Sequence, residues 1–288
     1  MVRAKFKSLY LLPAIIVSVL LFLVSLFMAL RGEADRLAWW GAAIASLPLP
    51  LVHAHLKLAR PARAAENAPL AWFVACCGVL LAAWEWLFEG VAGWLPLVVA
   101  TCALVLLLLY VFWYSRYGRI ASGKLDVGSR LPDFAAIDID GKPVNSGDLQ
   151  GKPSVLVFFS GNWSSFCVAQ VAELSAFQSE FERLGANVVL ISPQAERHSR
   201  ALAEQNPAPF HYWVDQDNGI ARELDIAVQN GVPVGYGRGY DADTVMPTVV
   251  VANARGTIIY SDQTDNYRVR PEPDIFLAVL RRTGAIAQ

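Results

Sequence analysis

Residues 9–30 read LYLLPAIIVSVLLFLVSLFMAL, without one charged side chain. A helix rises about 1.5 Å per residue, so this run can cross the roughly 30 Å hydrocarbon layer of a bilayer. It is longer than the apolar part of a secretory signal, and no small-x-small cleavage site follows it. Three more apolar runs follow, over residues 37–56, 70–88 and 91–115. The reading is an all-α transmembrane bundle of about four helices over residues 1–115. Pro48 and Pro50 predict a kink in the second span. Composition agrees: the 288 residues are 55% hydrophobic and only 17% charged, where soluble domains carry about a quarter charged residues.

Aromatic side chains mark the predicted interfaces. Trp39, Trp40, Trp84, Trp86 and Trp94 belong to one, and Trp72, Trp113, Tyr114 and Tyr117 to the other. Arg3, Lys5 and Lys7 precede the first span, Lys57, Arg60 and Arg63 follow the second, and Arg116, Arg119 and Lys124 follow the fourth. The opposite loops hold Arg31 and Arg36, offset by Glu33 and Asp35. By the positive-inside rule both termini face the cytoplasm of a multi-pass membrane protein, as does the domain that follows the spans. Glu85 reads as an interfacial residue whose head reaches water. His53 and His55, two apart, do not share a helix face and make no metal pair. Cys76, Cys77 and Cys102 read as small packing residues between helices.

Residues 116–130 form a Gly/Ser/basic linker, read as a solvated tether, and a soluble domain occupies 131–288. Net charge is −1 and no basic stripe crosses this half, which excludes a nucleic-acid interface. DFAAIDIDGKPVNSGDL alternates about an Asp140-Gly141 turn, the pattern of a β-hairpin. PSVLVFFS and NVVLIS are continuous apolar runs of strand length. Between them one helix is predicted over residues 164–184, its stripe made by Val171, Leu174, Phe177, Phe181 and Leu184. A helix over 196–205, the strand HYWVD, the short helix NGIAREL, a strand-turn-strand in MPTVVVANARGTIIYSD and the closing helix PEPDIFLAVLRR complete an α/β fold. The glycine-rich NGVPVGYGRGYDADT lacks the Lys-Ser/Thr of a phosphate loop. DQDNG starts like a calcium loop, but its glycine comes one position early and no Glu closes the frame.

The remaining cysteine, Cys167, sits in GNWSSFC, where a strand ends and a helix begins. Ser164 suits the N-cap, which places Cys167 in the first turn, near unpaired N–H groups and the positive helix end. That setting favours a thiolate. A second reading stays open: Cys167 lies four residues before Val171 and continues the apolar stripe.

VLVFFSGNWSSFCVAQVAEL, with DQDNGIARELDI, MPTVVVANARGTIIY and YRVRPEPDIFLAVL in that order, resembles the peroxiredoxin-like branch of the alkyl hydroperoxide reductase/thiol-specific antioxidant (AhpC/TSA) family. The resemblance covers about residues 131–280 and implies a thioredoxin-like fold and an antioxidant, thiol-dependent peroxidase. It places Cys167 on the peroxidatic cysteine, Ser164 on the hydroxyl that binds the peroxide and Arg270 on the arginine that steadies the developing charge, with Arg268 a nearby rival. Pro247 falls on the proline beside the active site and Trp163 on the signature tryptophan, both on the substrate side. No cofactor or metal is implied beyond an external thiol reductant.

Two departures stand out. Ser160 occupies the position of a shielding proline, and Ser164 replaces the first cysteine of a C-x-x-C. With one sulfur in the domain, a sulfenate at Cys167 needs an outside thiol, a second protomer of a homodimer or a small reductant. Two other functions are consistent with the residues: a thioredoxin-fold binding module that has lost its dithiol, and thiol-disulfide exchange with a partner cysteine.

Overall fold

The computed structural model describes residues 2–31, 35–88 and 93–284. Glu33 and Val91, where the fourth span was predicted to start, lie outside the described residues, as does the end of the chain beyond 284. Two compact units emerge: Leu9–Arg60 with Ala64–Arg116, and Tyr117–Gln288 with the short pieces Met1–Ser8 and Pro61–Arg63.

The first unit is helical. Its elements are α1 (Val2–Arg31), α2 (Arg36–Ser46), α3 (Pro48–Leu58), α4 (Pro69–Phe88) and α5 (Leu95–Leu108), the last continuing as a π-helical turn over Leu109–Tyr114. Four stretches, Lys5–Arg31, Arg36–Leu58, Pro69–Phe88 and Leu95–Tyr114, are long and apolar enough to cross a membrane by length and composition. At the predicted kink α2 passes into α3 through Leu47, which keeps helical φ −68°, ψ −38° and its bond to Ala43 O at 3.1 Å, while Pro48 opens α3, where its missing N–H costs little. Close backbone approach joins α2 to α4: a Cβ on Gly78 would lie 2.5 Å from both Ala45 N and Gly41 O. Around this contact Ala42, Ala45 and Ala82 are buried with Ala100 and Ala103, the small-residue packing that suits helices in lipid.

Two sequence expectations change in this unit, and the separation of His53 from His55 holds. Glu85 is buried, 7% exposed, rather than reaching outward. Cys77 and Cys102 are exposed on the unit's outer face, because Gly41, Gly78 and the alanines already fill the helix contacts. His53 is buried with its ring 4.8 Å from that of Tyr110, while His55 faces out.

The second unit is a mixed sheet between two apolar layers. Its strands are β1 (Ala135–Asp138), β2 (Pro143–Asn145), β3 (Ser154–Phe158), β4 (Asn187–Ser192), β5 (His211–Val214), β6 (Ala227–Val228), β7 (Thr244–Val245), β8 (Thr248–Ala252) and β9 (Ile258–Asp262). Seven form one sheet in the order β2-β1-β5-β4-β3-β8-β9, and β6 pairs with β7 apart from it. β3, β4 and β5 are parallel, and β8 runs antiparallel to β3 and β9. Successive side chains of β3 point to opposite faces. Leu156 and Phe158 therefore join one core with Phe134, Trp213 and Leu224. Val155, Val157 and Phe159 join the other with Val171, Leu202 and Phe276. That second core is covered by α6 (Ser165–Ala176), α7 (Gln178–Arg183), α8 (Glu196–Gln205) and α10 (Pro273–Gly284); α9 (Gly219–Glu223) lies on the first.

The single helix predicted over 164–184 is two. Ser175 Oγ donates to Val171 O one turn back at 2.9 Å, a bond that bends helices, and Phe177 leaves the helical region at φ −101°, ψ 12°. The break still lets Phe181 reach the core.

Residues 117–130 are not a solvated tether. Tyr117 N donates to Asp265 O at 3.0 Å and Gly128 N to Ile258 O at 2.8 Å, and Arg130 bridges Thr257. Arg119 donates to Pro247 O, Thr248 Oγ1 and Gln263 Oε1 at 3.2, 2.9 and 3.1 Å. Glycines and single charges there read as solvated, yet several of their donors find acceptors on β8, β9 and the residues that follow β9. The DQDNG stretch is a cap as well: the Asp215 carboxylate accepts from Ile220 N and Ala221 N at 2.8 and 2.9 Å.

Candidate active site

The apolar run of β3 ends at Phe158, and the chain turns through Phe159–Ser164 into α6. Gly161 takes φ +129° in that turn, which a side chain would strain. Ser164 stands at the N-cap in extended conformation but makes no side-chain cap bond. Instead its carbonyl accepts from Cys167 N and Val168 N at 3.0 and 3.1 Å, and its half-buried hydroxyl is left to other partners. Cys167 is thus the third residue of α6 and fully buried among Val155, Val157, Val171 and Phe276. Both readings of this cysteine hold in part: it continues the apolar stripe, and it lies in the first turn.

What distinguishes it is the group facing the sulfur. Arg270, only 6% exposed, brings Nη2 to 3.6 Å from Cys167 Sγ. Its Nη1 donates to Gln170 Oε1 at 3.1 Å and its Nε to Tyr267 O at 3.0 Å. The Arg270 carbonyl in turn accepts from Arg63 Nε at 3.2 Å, and Arg63 pairs with Glu173 and Glu272. Arg268, the nearby alternative, is also buried, with its backbone N–H on Asn266 Oδ1 at 3.1 Å. A buried guanidinium on a sulfur is a fixed positive charge where a thiolate would stand.

The remaining predicted residues frame this pair. Trp163 spends its indole N–H on Ser160 O at 2.9 Å, so it closes the loop rather than offering a donor. Pro247 is buried just before β8, with a trans peptide bond before it, and its carbonyl holds Arg119. Ser160 Oγ donates to Val245 O at 2.9 Å, and Ser160 O also accepts from Thr244 Oγ1 at 2.9 Å.

Two site residues escaped the sequence reading. Gln170 is 1% exposed and holds the guanidinium; its spacing of three from Cys167, on the same helix face, was the available signal. Tyr117, assigned to a membrane interface, instead has its N–H on Asp265 O at 3.0 Å and its ring 6.4 Å from that of Tyr267, within electrostatic reach of Arg270 and Cys167. Burial pushes the Tyr117 phenol up to about 12, against the pull of Arg270. No local pattern marks it. Among the described residues, no three His, Cys, Asp or Glu side chains gather to hold a metal ion.

Residues 127–261 match the AhpC/TSA family. Relatives include the chloroplastic peroxiredoxin Q of Triticum aestivum, 31% identical over 107 residues, which are 37% of this chain and 49% of that protein. The chloroplastic peroxiredoxin Q of Sedum lineare is 30% identical over 103 residues, 36% of this chain and 55% of that protein. The chain thus spans about half the length of these relatives. Among solved structures, peroxidoxin BcpB from Mycobacterium tuberculosis is similar with a TM-score of 0.47 at 19% identity, over 55% of this chain and 97% of that one.

Proposed function

From the premise that residues 127–261 are a domain of the AhpC/TSA family, with peroxiredoxins among its relatives, we propose that this chain is a membrane-anchored thiol peroxidase with Cys167 as its single reactive sulfur. The observation that carries the reading is the 3.6 Å approach of Arg270 Nη2 to Cys167 Sγ in the first turn of α6. The Cys167 thiolate attacks one oxygen of a peroxide, an S–O bond forms and the O–O bond breaks. The electron pair leaves on the other oxygen, which takes a proton from water and departs as water or an alcohol. Cysteine is oxidised to sulfenic acid and the peroxide is reduced. Arg270 stabilises the thiolate and then the negative charge on the leaving oxygen. Ser164, with its hydroxyl uncommitted to the helix cap, positions the peroxide, and Trp163 and Pro247 form the edge of the site.

An outside thiol attacks the sulfenic sulfur and expels water, and a second thiol releases Cys167, so two electrons come from two external thiols. Those thiols belong to a small reductant, a partner protein or a second protomer. Full burial of the sulfur favours small peroxides. Four apolar helices support anchoring, and the placement of Lys and Arg supports a cytoplasm-facing site.

The test is dimedone trapping on the intact chain in detergent, treated with hydrogen peroxide and mapped by mass spectrometry, beside Cys167→Ser. An adduct on the Cys167 peptide, with thiol-dependent peroxide turnover lost in the variant, is expected. A folded protein that gives no adduct there, and consumes peroxide no faster than Cys167→Ser, would favour the binding module instead.

A further inference from the structure

Arg63 lies in the chain between α3 and α4, yet it belongs to the compact unit that holds Cys167. Each of its three guanidinium nitrogens has a partner there. Nε donates to Arg270 O at 3.2 Å, Nη1 lies 3.3 Å from Glu272 Oε1, and Nη2 pairs with Glu173 Oε2. Glu173 is on α6, three residues after Gln170 and six after Cys167. Arg270 and Glu272 flank Pro271 on the segment that brings the second guanidinium to the sulfur. Arg63 therefore touches both halves of the site directly: the helix that carries the thiol and the backbone that carries Arg270.

We propose that Arg63 is a positioning residue of the Cys167 site, a brace that ties α6 to residues 270–272 and so sets Arg270 Nη2 at its distance from the sulfur. The inference rests on the peroxidase reading only for its oxidation-rate readout. Without the brace, Arg270 is held by its side chain through Gln170 Oε1 and Tyr267 O, while its backbone carbonyl loses the Arg63 donor. Arg63 and both carboxylates are partly exposed, so water screens each pair and each alone contributes little. Direction is what the fork adds: one rigid plane meets three acceptors, which the single ammonium of lysine does not reproduce. Arg63 also stands well ahead of residue 127, where the family match begins. The matched stretch therefore does not supply the whole site; a residue between two long apolar helices completes it.

The test uses the full chain in detergent and compares wild type with Arg63→Lys, Arg63→Gln and Glu173→Leu. Thermal melting should stay close to wild type, since the replaced side chains are partly exposed. Iodoacetamide labelling of the Cys167 peptide across pH, read by mass spectrometry, is the first measurement. A loosened Arg270 makes the thiolate less favourable, so the labelling midpoint should rise in all three variants by about half a pH unit. That is roughly a threefold change, the scale of one partly exposed ion pair. Bracing and bare charge predict different signs here. Arg63→Lys keeps the positive charge and Glu173→Leu removes a negative one, so charge acting through space would leave the first midpoint at wild type and lower the second. Peroxide oxidation of Cys167, followed by stopped flow, should slow about threefold in each variant. A wild-type midpoint in Arg63→Lys, or a lowered one in Glu173→Leu, overturns the inference. If wild-type Cys167 resists peroxide yet the three midpoints rise together, the peroxidase reading falls and the brace stands.

Discussion

The Arg270 guanidinium lies 3.6 Å from the Cys167 sulfur, and the same planar group is braced by Gln170 one turn along α6, at 3.1 Å. A fork of this kind fixes direction as well as charge. Lysine can supply the charge to one partner but not to both. Arg270→Lys is therefore expected to slow peroxide oxidation of Cys167 about tenfold and Arg270→Met up to about a hundredfold, the range of a charge-assisted hydrogen bond. Gln170→Leu should lie between wild type and Arg270→Lys, since it frees the guanidinium without removing it. Stopped-flow oxidation with hydrogen peroxide measures all three; an Arg270→Met rate equal to wild type would show the approach to be inert.

Arg119 makes a different argument, about the segment before the sheet. Three acceptors on the β8–β9 side hold its side chain, and Asp265 Oδ1 takes its backbone N–H at 2.7 Å. Arg119→Ala should cost about 2–3 kcal/mol locally, because buried acceptors lose a charged donor. Hydrogen exchange is the measurement. Amides of residues 117–125 should lose protection while those of β3 keep theirs; protection unchanged in both would mean that the segment is held by its backbone alone.

Most strands could be read before any coordinates existed, and the reason is physical. β3 and β4 are buried on both faces, so their apolar runs are unbroken, and the β1–β2 hairpin is announced by Asp140-Gly141, with Gly141 at φ +79°. Cys167 and Arg270 were reachable through resemblance, though nothing in the string distinguished Arg270 from Arg268; that choice is made by which guanidinium faces the sulfur. Linker residues were misjudged for a related reason. Composition reports what a segment can dissolve in, whereas Tyr117 and Arg119 are placed by acceptors more than a hundred residues later in the chain. A tyrosine three residues beyond an apolar helix looks interfacial, and only the fold reveals Asp265 and Tyr267 beside it.

Asp215 allows a pH test with a definite sign. Its carboxylate caps Ile220 N and Ala221 N and is 2% exposed, and burial raises its pKa above the ordinary value despite those bonds. Over the interval between the unfolded and native values the folded chain binds the extra proton, so this group makes stability fall as pH rises through that interval. Asp215→Asn is never charged and lacks that slope. The stability of wild type relative to Asp215→Asn should therefore be greatest below about pH 4 and decline as pH rises toward neutrality. Asp215→Ala, which leaves two amides without an acceptor, should lose about 1–3 kcal/mol throughout. Thermal melts from pH 3 to 7 separate the two; a relative stability that grows with pH would mean that the amide bonds outweigh burial.

Ser164 separates structure from chemistry most cleanly, because the two roles predict opposite balances of effect. A serine that caps a helix through its side chain loses about 0.5–2 kcal/mol on replacement by alanine. Here the hydroxyl makes no such bond, and the first turn is closed by the Ser164 carbonyl on Cys167 N and Val168 N, which alanine retains. Ser164→Ala should therefore change stability by less than about 0.5 kcal/mol while slowing peroxide oxidation of Cys167 about tenfold, as one hydrogen bond to the bound peroxide is lost. Ser164→Thr keeps the hydroxyl and should recover most of the rate. Iodoacetamide, which needs no such bond, should react with the alanine variant and with wild type alike at a pH where the thiol is fully ionised. A variant that melts markedly lower and reacts with peroxide at the wild-type rate would make Ser164 a helix cap and leave the peroxide without its hydroxyl partner.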